Sequence, residues 1–156
     1  MSRTVHIERW QPRYAADFVR LNKEWIETYF ELEPSDLKIF KSPEQSIIDK
    51  GGEIFFAVDE QRRVLGCCAL VYHPEDGRYE LAKMAVSPLA QGQGIGYQLG
   101  VALLNYAREQ GVKSLFLEAN TRLEASIRLY HKLGFVPVHM QHPAYSRCNL
   151  YMQIAL

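Results

Sequence analysis

The chain has no charge of one sign in excess: 18 Lys and Arg stand against 18 Asp and Glu in 156 residues. Without a net positive field, long-range steering onto nucleic acid or an anionic membrane surface is not expected. Cysteine is scarce. Cys67, Cys68 and Cys148 are an odd, sparse set, poor material for a disulfide framework, and read as buried structural thiols. No Cys-x-x-Cys or His-x-x-x-His spacing occurs, so no metal site is expected. Long apolar runs are missing too, and none approaches the roughly 20 residues that span a bilayer. Met1 to Trp10 carries Arg3, His6, Glu8 and Arg9 where a signal peptide needs an apolar stretch. These absences lead to the expectation of a cytoplasmic protein with no membrane and no nucleic-acid partner.

The chain also lacks repeats, low-complexity tracts and anything resembling a linker. Its length therefore reads as one domain over residues 1–156. A composition that is 47% hydrophobic suits a globular core. Val5 to Trp10 alternates as a strand. Phe18, Leu21, Trp25 and Tyr29 form one helical stripe within Ala15 to Phe30. Pro34 interrupts it, and a second, shorter helix is expected within Ser35 to Lys50, stopped by Gly51-Gly52. Glu53–Asp59, Arg63–His73 and Tyr79–Ser87 then read as an antiparallel meander. A helix follows, carrying Ile95, Leu99, Leu103 and Tyr106 on one face, and leads over to a strand at Val112–Glu118. That crossover allows the strand to lie parallel to the one before it. Thr121-x-x-Glu124 predicts a capping box for a fourth helix, closed by Gly134. Strands at Phe135–Met140 and Cys148–Leu156 complete an α+β architecture with a mixed sheet.

The most informative segment is Tyr79 to Tyr97, where a strand runs into Gln91-Gly92-Gln93-Gly94-Ile95-Gly96 and opens a helix. Amides at a helix N-terminus lack internal partners and sit at the positive end of the dipole. Glycines let a large anion approach them, and a diphosphate is the natural guest. A Walker loop is excluded because no Gly-Lys-Ser/Thr follows. A dinucleotide fingerprint fails because its last glycine falls on Tyr97 or Leu99.

Gln91 to Gly96 matches the Gln/Arg-x-x-Gly-x-Gly/Ala signature of the GNAT superfamily of acetyl-CoA-dependent N-acetyltransferases. Leu129-Tyr130-His131-Lys132-Leu133-Gly134-Phe135 resembles that family's second hallmark, an apolar residue and Tyr followed by Gly-Phe. The resemblance covers nearly the whole chain. It implies the GNAT fold: a mixed, mostly antiparallel sheet of about seven strands, flanked by four helices and splayed at the cofactor site. It also implies acetyl-CoA as co-substrate. Gln91, Gly92, Gln93, Gly94, Ile95, Gly96 and Tyr97 would hold the pyrophosphate. Met84 and Val86 would pair with the pantetheine arm, and a backbone amide near Met84 or Ala85 would polarise the thioester oxygen.

A strand bulge in such proteins opens a slot, here between Tyr79–Ser87 and Val112–Glu118. Tyr130 matches the family tyrosine that reaches the CoA sulfur. Glu80 stands where many members place an acid, on one strand face with Ala82 and Met84, and is the candidate base; Glu118 and a water chain are the alternatives. Many members place Asn seven residues before the tyrosine. Leu123 occupies that position here, and Asn120 is the candidate substitute.

The acceptor side points to Trp25, Tyr29, Phe30 and Glu33 against His139, His142, Tyr145 and Arg147. The acidic run of Glu27, Glu31, Glu33 and Asp36 would draw a cationic amine, and Arg147 would grip a carboxylate. The expected reaction moves an acetyl group to a primary amine of a small molecule, such as an amino acid. The alternatives are an inactive acyl-CoA sensor or a protein acetyltransferase. Analogy with the family also suggests a homodimer.

Overall fold

The computed structural model describes residues 4–139, 143 and 145–156. Seven strands form one sheet: β1 (Val5–Arg9), β2 (Glu53–Asp59), β3 (Val64–His73), β4 (Arg78–Val86), β5 (Ser114–Ala119), β6 (Val136–Val138) and β7 (Leu150–Ala155). Their spatial order is β1-β2-β3-β4-β5-β7-β6. Every pairing is antiparallel except β4 with β5. That exception follows from connectivity. Helix α3 (Ile95–Glu109) carries the chain from the end of β4 back to the start of β5, and only a crossover of this length permits parallel neighbours.

Both faces of the central strands are buried, which is why β2 and β3 read as nearly continuous apolar runs. On one face, α1 (Ala15–Tyr29) and α2 (Pro34–Lys41) set Phe18, Leu21, Ile26 and Phe40 against Phe56, Cys67 and Ala69. On the other, α3 and α4 (Glu124–Leu133) set Leu99, Leu103 and Leu133 against Phe55, Cys68 and Leu81. Full burial of each such side chain contributes about 1.5–3 kcal/mol. Cys67 and Cys68 thus fall on opposite faces, as a strand's two-residue period requires, and all three thiols are free and buried. The stripe on α1 runs through Phe18, Leu21, Asn22 and Ile26, which leaves Tyr29 exposed.

The structure corrects three local expectations. The single helix expected within Ser35–Lys50 is two pieces. Helix α2 ends at Lys41, and a π turn covers Glu44–Ile48, because Pro43 has no amide to continue the ladder. The capping box expected at Thr121 is absent: Leu123 is the N-cap of α4 and no side chain caps it. Asn120 Oδ1 instead accepts the Arg122 N–H at 2.8 Å, a side-chain turn that competes with the cap. A reciprocal cap does form where none was expected, at α2, where Asp36 Oδ2 accepts the Glu33 N–H at 2.9 Å.

The third correction concerns β4. Opposite β3, its register slips between Ala82 and Ala85, a β-bulge at Lys83-Met84. Lys83 takes φ +56, a left-handed conformation uncommon outside glycine. An extra residue reverses the inward-outward alternation beyond it. Met84 therefore packs with Leu81 and Val86 toward α3 and does not share a face with Glu80. Lys83 instead reaches Asp36 on the α1–α2 side.

Candidate active site

Beyond the bulge, β4 and β5 part company. They pair at a single position, Glu80 opposite Phe116, and a hollow opens between them. It takes in about 730 Å³, including space open to solvent at its mouth. Glu80 to Met84 form one wall; Glu118, Ala119 and Asn120 form the other. Trp25, Ile26 and Phe30 of α1 and its C-terminal end close one side, and Leu123, Ser126 and Tyr130 close another.

The glycine loop lies just beyond the end of β4. Gly92 and Gly94 both take φ +77, and a Cβ at either would meet nothing within 4 Å. Conformation rather than crowding therefore calls for glycine there. Gly94 is the N-cap of α3 and its carbonyl accepts the Gln98 N–H at 3.1 Å. The amides of Ile95, Gly96 and Tyr97 thus precede the first full helical hydrogen bond and point outward from the helix start. Gly96 is needed for another reason: a Cβ there would lie 3.1 Å from Leu129 Cδ2 of α4. The Gln91 amide donates to the Val86 carbonyl at 3.3 Å, tying the loop to β4. Lys132 Nζ sits 4.3 Å from the centre of the Tyr97 ring.

Tyr130 projects from α4 into the slot. Its hydroxyl makes no hydrogen bond with the described residues, and burial pushes its pKa up to about 12. Across from it Glu80 is buried, with its side chain 8% exposed. Its Oε1 lies 2.8 Å from His73 Nε2, while His73 Nδ1 lies 3.1 Å from Glu75 Oε1. Ionised carboxylates only accept hydrogen bonds, so a ring held at both nitrogens in this way carries both protons. The hydrogen bond to Glu80 is accordingly the main force raising the His73 pKa, against the opposing pull of burial. Glu118 also faces the slot, and beside it the Cys148 thiol donates to the Leu150 carbonyl at 3.6 Å, with its pKa raised by burial to about 11.

The acceptor side holds a network of buried charge. Asp36, fully buried, accepts from Lys83 Nζ at 2.7 Å and from Arg147 Nη2 and Nη1 at 2.8 and 2.9 Å. Lys83 also donates to the Tyr145 hydroxyl at 2.9 Å, and Arg147 to Glu33 Oε2 at 3.2 Å. Burial pushes the Asp36 carboxyl up, but hydrogen bonds from Arg147 and Lys83 outweigh it and hold the pKa at about 2.

Of the residues singled out by sequence, the slot brings together Trp25, Phe30, Glu80, Met84, Glu118, Asn120, Tyr130, Tyr145 and Arg147. Tyr29 and Glu33 line a neighbouring shallow hollow with Arg122 and Ser146. Ala85 is buried in the sheet, Val86 is partly buried, and the loop from Gln91 to Tyr97 lies outside the slot lining. The Asn120 amide donates to the Arg147 carbonyl at 2.7 Å while its oxygen caps Arg122, so both ends already serve the backbone. His139 is exposed and does not line the slot; His142 lies outside the described residues. Sequence reasoning missed Lys83 and His73. The side of Lys83 depends on the bulge, and His73 meets Glu80 only through the pairing of β3 with β4. Asp36 was visible only as one member of an acidic run.

An open mixed sheet parted beside a glycine-loop helix is the architecture of acetyl-CoA-dependent acetyltransferases. The sequence profile of the Acetyltransferase (GNAT) family matches residues 16–135, and the chain belongs to that family. A mycothiol acetyltransferase from Paenarthrobacter aurescens is 36% identical over 84 residues, 51% of this chain and 26% of that protein. The chain thus spans about a quarter of that relative's length. An acetyltransferase of the GNAT family from Staphylococcus aureus superimposes with a TM-score of 0.86 at 15% identity, covering 97% of this chain and 99% of that one. A phosphinothricin acetyltransferase from Sinorhizobium meliloti in complex with acetyl-CoA gives a TM-score of 0.79 at 21% identity, covering 98% and 89%. Among the described residues no helix is long and apolar enough to cross a membrane, and no group of three His, Cys, Asp or Glu could hold a metal ion.

Proposed function

We propose that this chain transfers an acetyl group from acetyl-CoA to the primary amine of a small molecule, by direct attack within a ternary complex. The observation that carries the reading is the slot itself: a buried carboxylate and a tyrosine hydroxyl that no described residue bonds both face the gap between two diverging strands, beside a helix start left open by glycines. The residues fit the co-substrate. Amides of Gln91 to Tyr97 offer donors to a pyrophosphate. The stretch of β4 at Met84, Ala85 and Val86, paired with β3 but open on its β5 side, offers backbone groups to an amide-bearing arm.

The thioester supplies an activated acyl carbon, and the chain's own residues supply position and protons. An alkylammonium has a pKa of about 10.4, so at neutral pH the acceptor must lose a proton before it attacks. Glu80 takes that proton on the oxygen turned toward the slot while its other oxygen stays tied to His73. The new C–N bond forms as C–S breaks, the electron pair leaves on sulfur, and the second proton of the nitrogen passes to that thiolate, giving amide and free thiol. A Tyr130 at about 12 would give up its proton fully to a thiolate of pKa about 8.5 only at a penalty of roughly 5 kcal/mol. Tyr130 therefore acts as a hydrogen-bond donor to the departing sulfur and keeps its proton.

Two measurements test this reading. Acetyl-CoA at 100 times its Kd is expected to stabilise the fold by about 2.7 kcal/mol, which raises Tm by roughly 5–10 °C. Absence of both a thermal shift and calorimetric heat would remove the proposal, and a shift without thiol release across a broad amine panel would turn it into a sensor. Separately, Glu80→Gln is expected to lower kcat/KM about 100-fold or more, with Glu118→Gln nearly silent. If Glu118→Gln carries the larger loss, the base is misassigned. Small equal losses point to a water chain.

A further inference from the structure

Resting on the transfer reading above, we propose that Asp36 determines the acceptor class, restricting the site to primary amines on an apolar body that carry no carboxylate. The two cations that face the slot, Lys83 and Arg147, are the groups an amino-acid carboxylate would need. Both are already engaged. Arg147 closes a two-pronged contact on Asp36 at 2.8 and 2.9 Å and adds Glu33 at 3.2 Å. Lys83, only 4% exposed, holds the same Asp36 at 2.7 Å. Asp36 has no exposed surface, so an incoming carboxylate cannot displace it into water.

The balance of charge points the same way. Among the described residues, Glu31, Glu33, Asp36, Glu80 and Glu118 stand against Lys83, Arg122 and Arg147, with His73 as a fourth cation when protonated. The acceptor half is negative in either state, which draws an ammonium and repels a carboxylate. Trp25, Ile26, Phe30 and Leu123 give the lining an apolar and aromatic part, beside the neutral Asn22, Asn120 and Ser126. Trp25 and Phe30 lie with ring centres 6.2 Å apart and tilted, offering ring faces and edges to an apolar acceptor body.

The test uses matched pairs that differ only in the carboxylate: 2-phenylethylamine with phenylalanine, tryptamine with tryptophan, and histamine with histidine. Thiol release from acetyl-CoA gives kcat/KM for each. The amine lacking the carboxylate is expected to be preferred at least 10-fold in the pairs that react. Equal or reversed preference overturns the inference while leaving acyl transfer intact, because thiol is still released. No release from any pair, with acetyl-CoA binding confirmed by calorimetry, counts against transfer and against this inference with it. Two variants then locate the cause. Asp36→Asn, if circular dichroism shows it folded, is expected to narrow the preference at least 10-fold by freeing both cations. Glu33→Gln, at a partly exposed position, keeps an oxygen acceptor and is expected to narrow it about threefold. Damage to the fold alone would lower both members of a pair together and leave the ratio unchanged. An unchanged ratio in folded Glu33→Gln therefore overturns the assignment.

Discussion

Tyr130→Phe is expected to lower kcat about 100-fold or more while changing the affinity for CoA less than threefold. The substitution removes one oxygen and keeps the ring, so the contact with Phe135 at 6.3 Å between ring centres survives and α4 stays in place. The lost donor would act only when charge develops on the sulfur, and removal of a donor aimed at transition-state charge typically costs 10²–10³ in kcat. The effect should therefore appear in kcat with little change in KM. The raised pKa, about 12, adds a second signature. The neutral donor persists through the accessible alkaline range, so the wild-type profile should show no limb from Tyr130 below about pH 11. Steady-state kinetics with direct thiol detection, beside calorimetry with CoA, separates the two parameters. A variant that turns over normally would place Tyr130 among ordinary packing residues of the helix.

Asp36→Ala is expected to be the most destabilising single change at the site. It leaves Lys83 and Arg147 without their shared carboxylate and removes the acceptor for the Glu33 N–H at the start of α2. Removing one partner of a buried ion pair usually costs about 3–5 kcal/mol. For a domain of this size that lowers Tm by roughly 6–20 °C. The same interaction sets a pH dependence. The Asp36 pKa in the folded state is about 2, against an ordinary value of 3.8. A depressed carboxyl stabilises the fold fully above the unfolded value, and that stabilisation is lost as pH falls through the folded one. The expected loss lies between about pH 4 and pH 2 and amounts to roughly 2 kcal/mol. Glu8, held at about 2 chiefly by its hydrogen bond from Arg62 and then from Tyr14, titrates in the same window. The readout is therefore the difference between wild type and Asp36→Ala in urea midpoints at pH 6, 4 and 2.5. Parallel curves at all three would show that Asp36 contributes nothing specific.

Much of this protein was legible in its residues. The alternation of β1, the apolar runs of β2 and β3, the helical stripe of α3 and the glycine punctuation at Gly51 and Gly134 follow from backbone periodicity and chirality, which act within a few residues. So does the glycine loop at Gln91–Gly96, since its shape needs only a strand, a positive φ and a helix start, in that order. Tyr130 was marked by its neighbours Gly134 and Phe135. The acceptor side was not legible in this way. The side on which Lys83 emerges depends on one extra residue in β4, and a period-two pattern cannot reveal a slip in its own register. The partners of Arg147 lie more than 100 positions away, so no local reading could show that its charge is already spent. Sequence alone determined the fold class and the glycine loop before α3 because both are written in short-range pattern. Tertiary structure alone decided which charges in the slot are free, because burial and pairing depend on what distant segments bring to the same few ångströms.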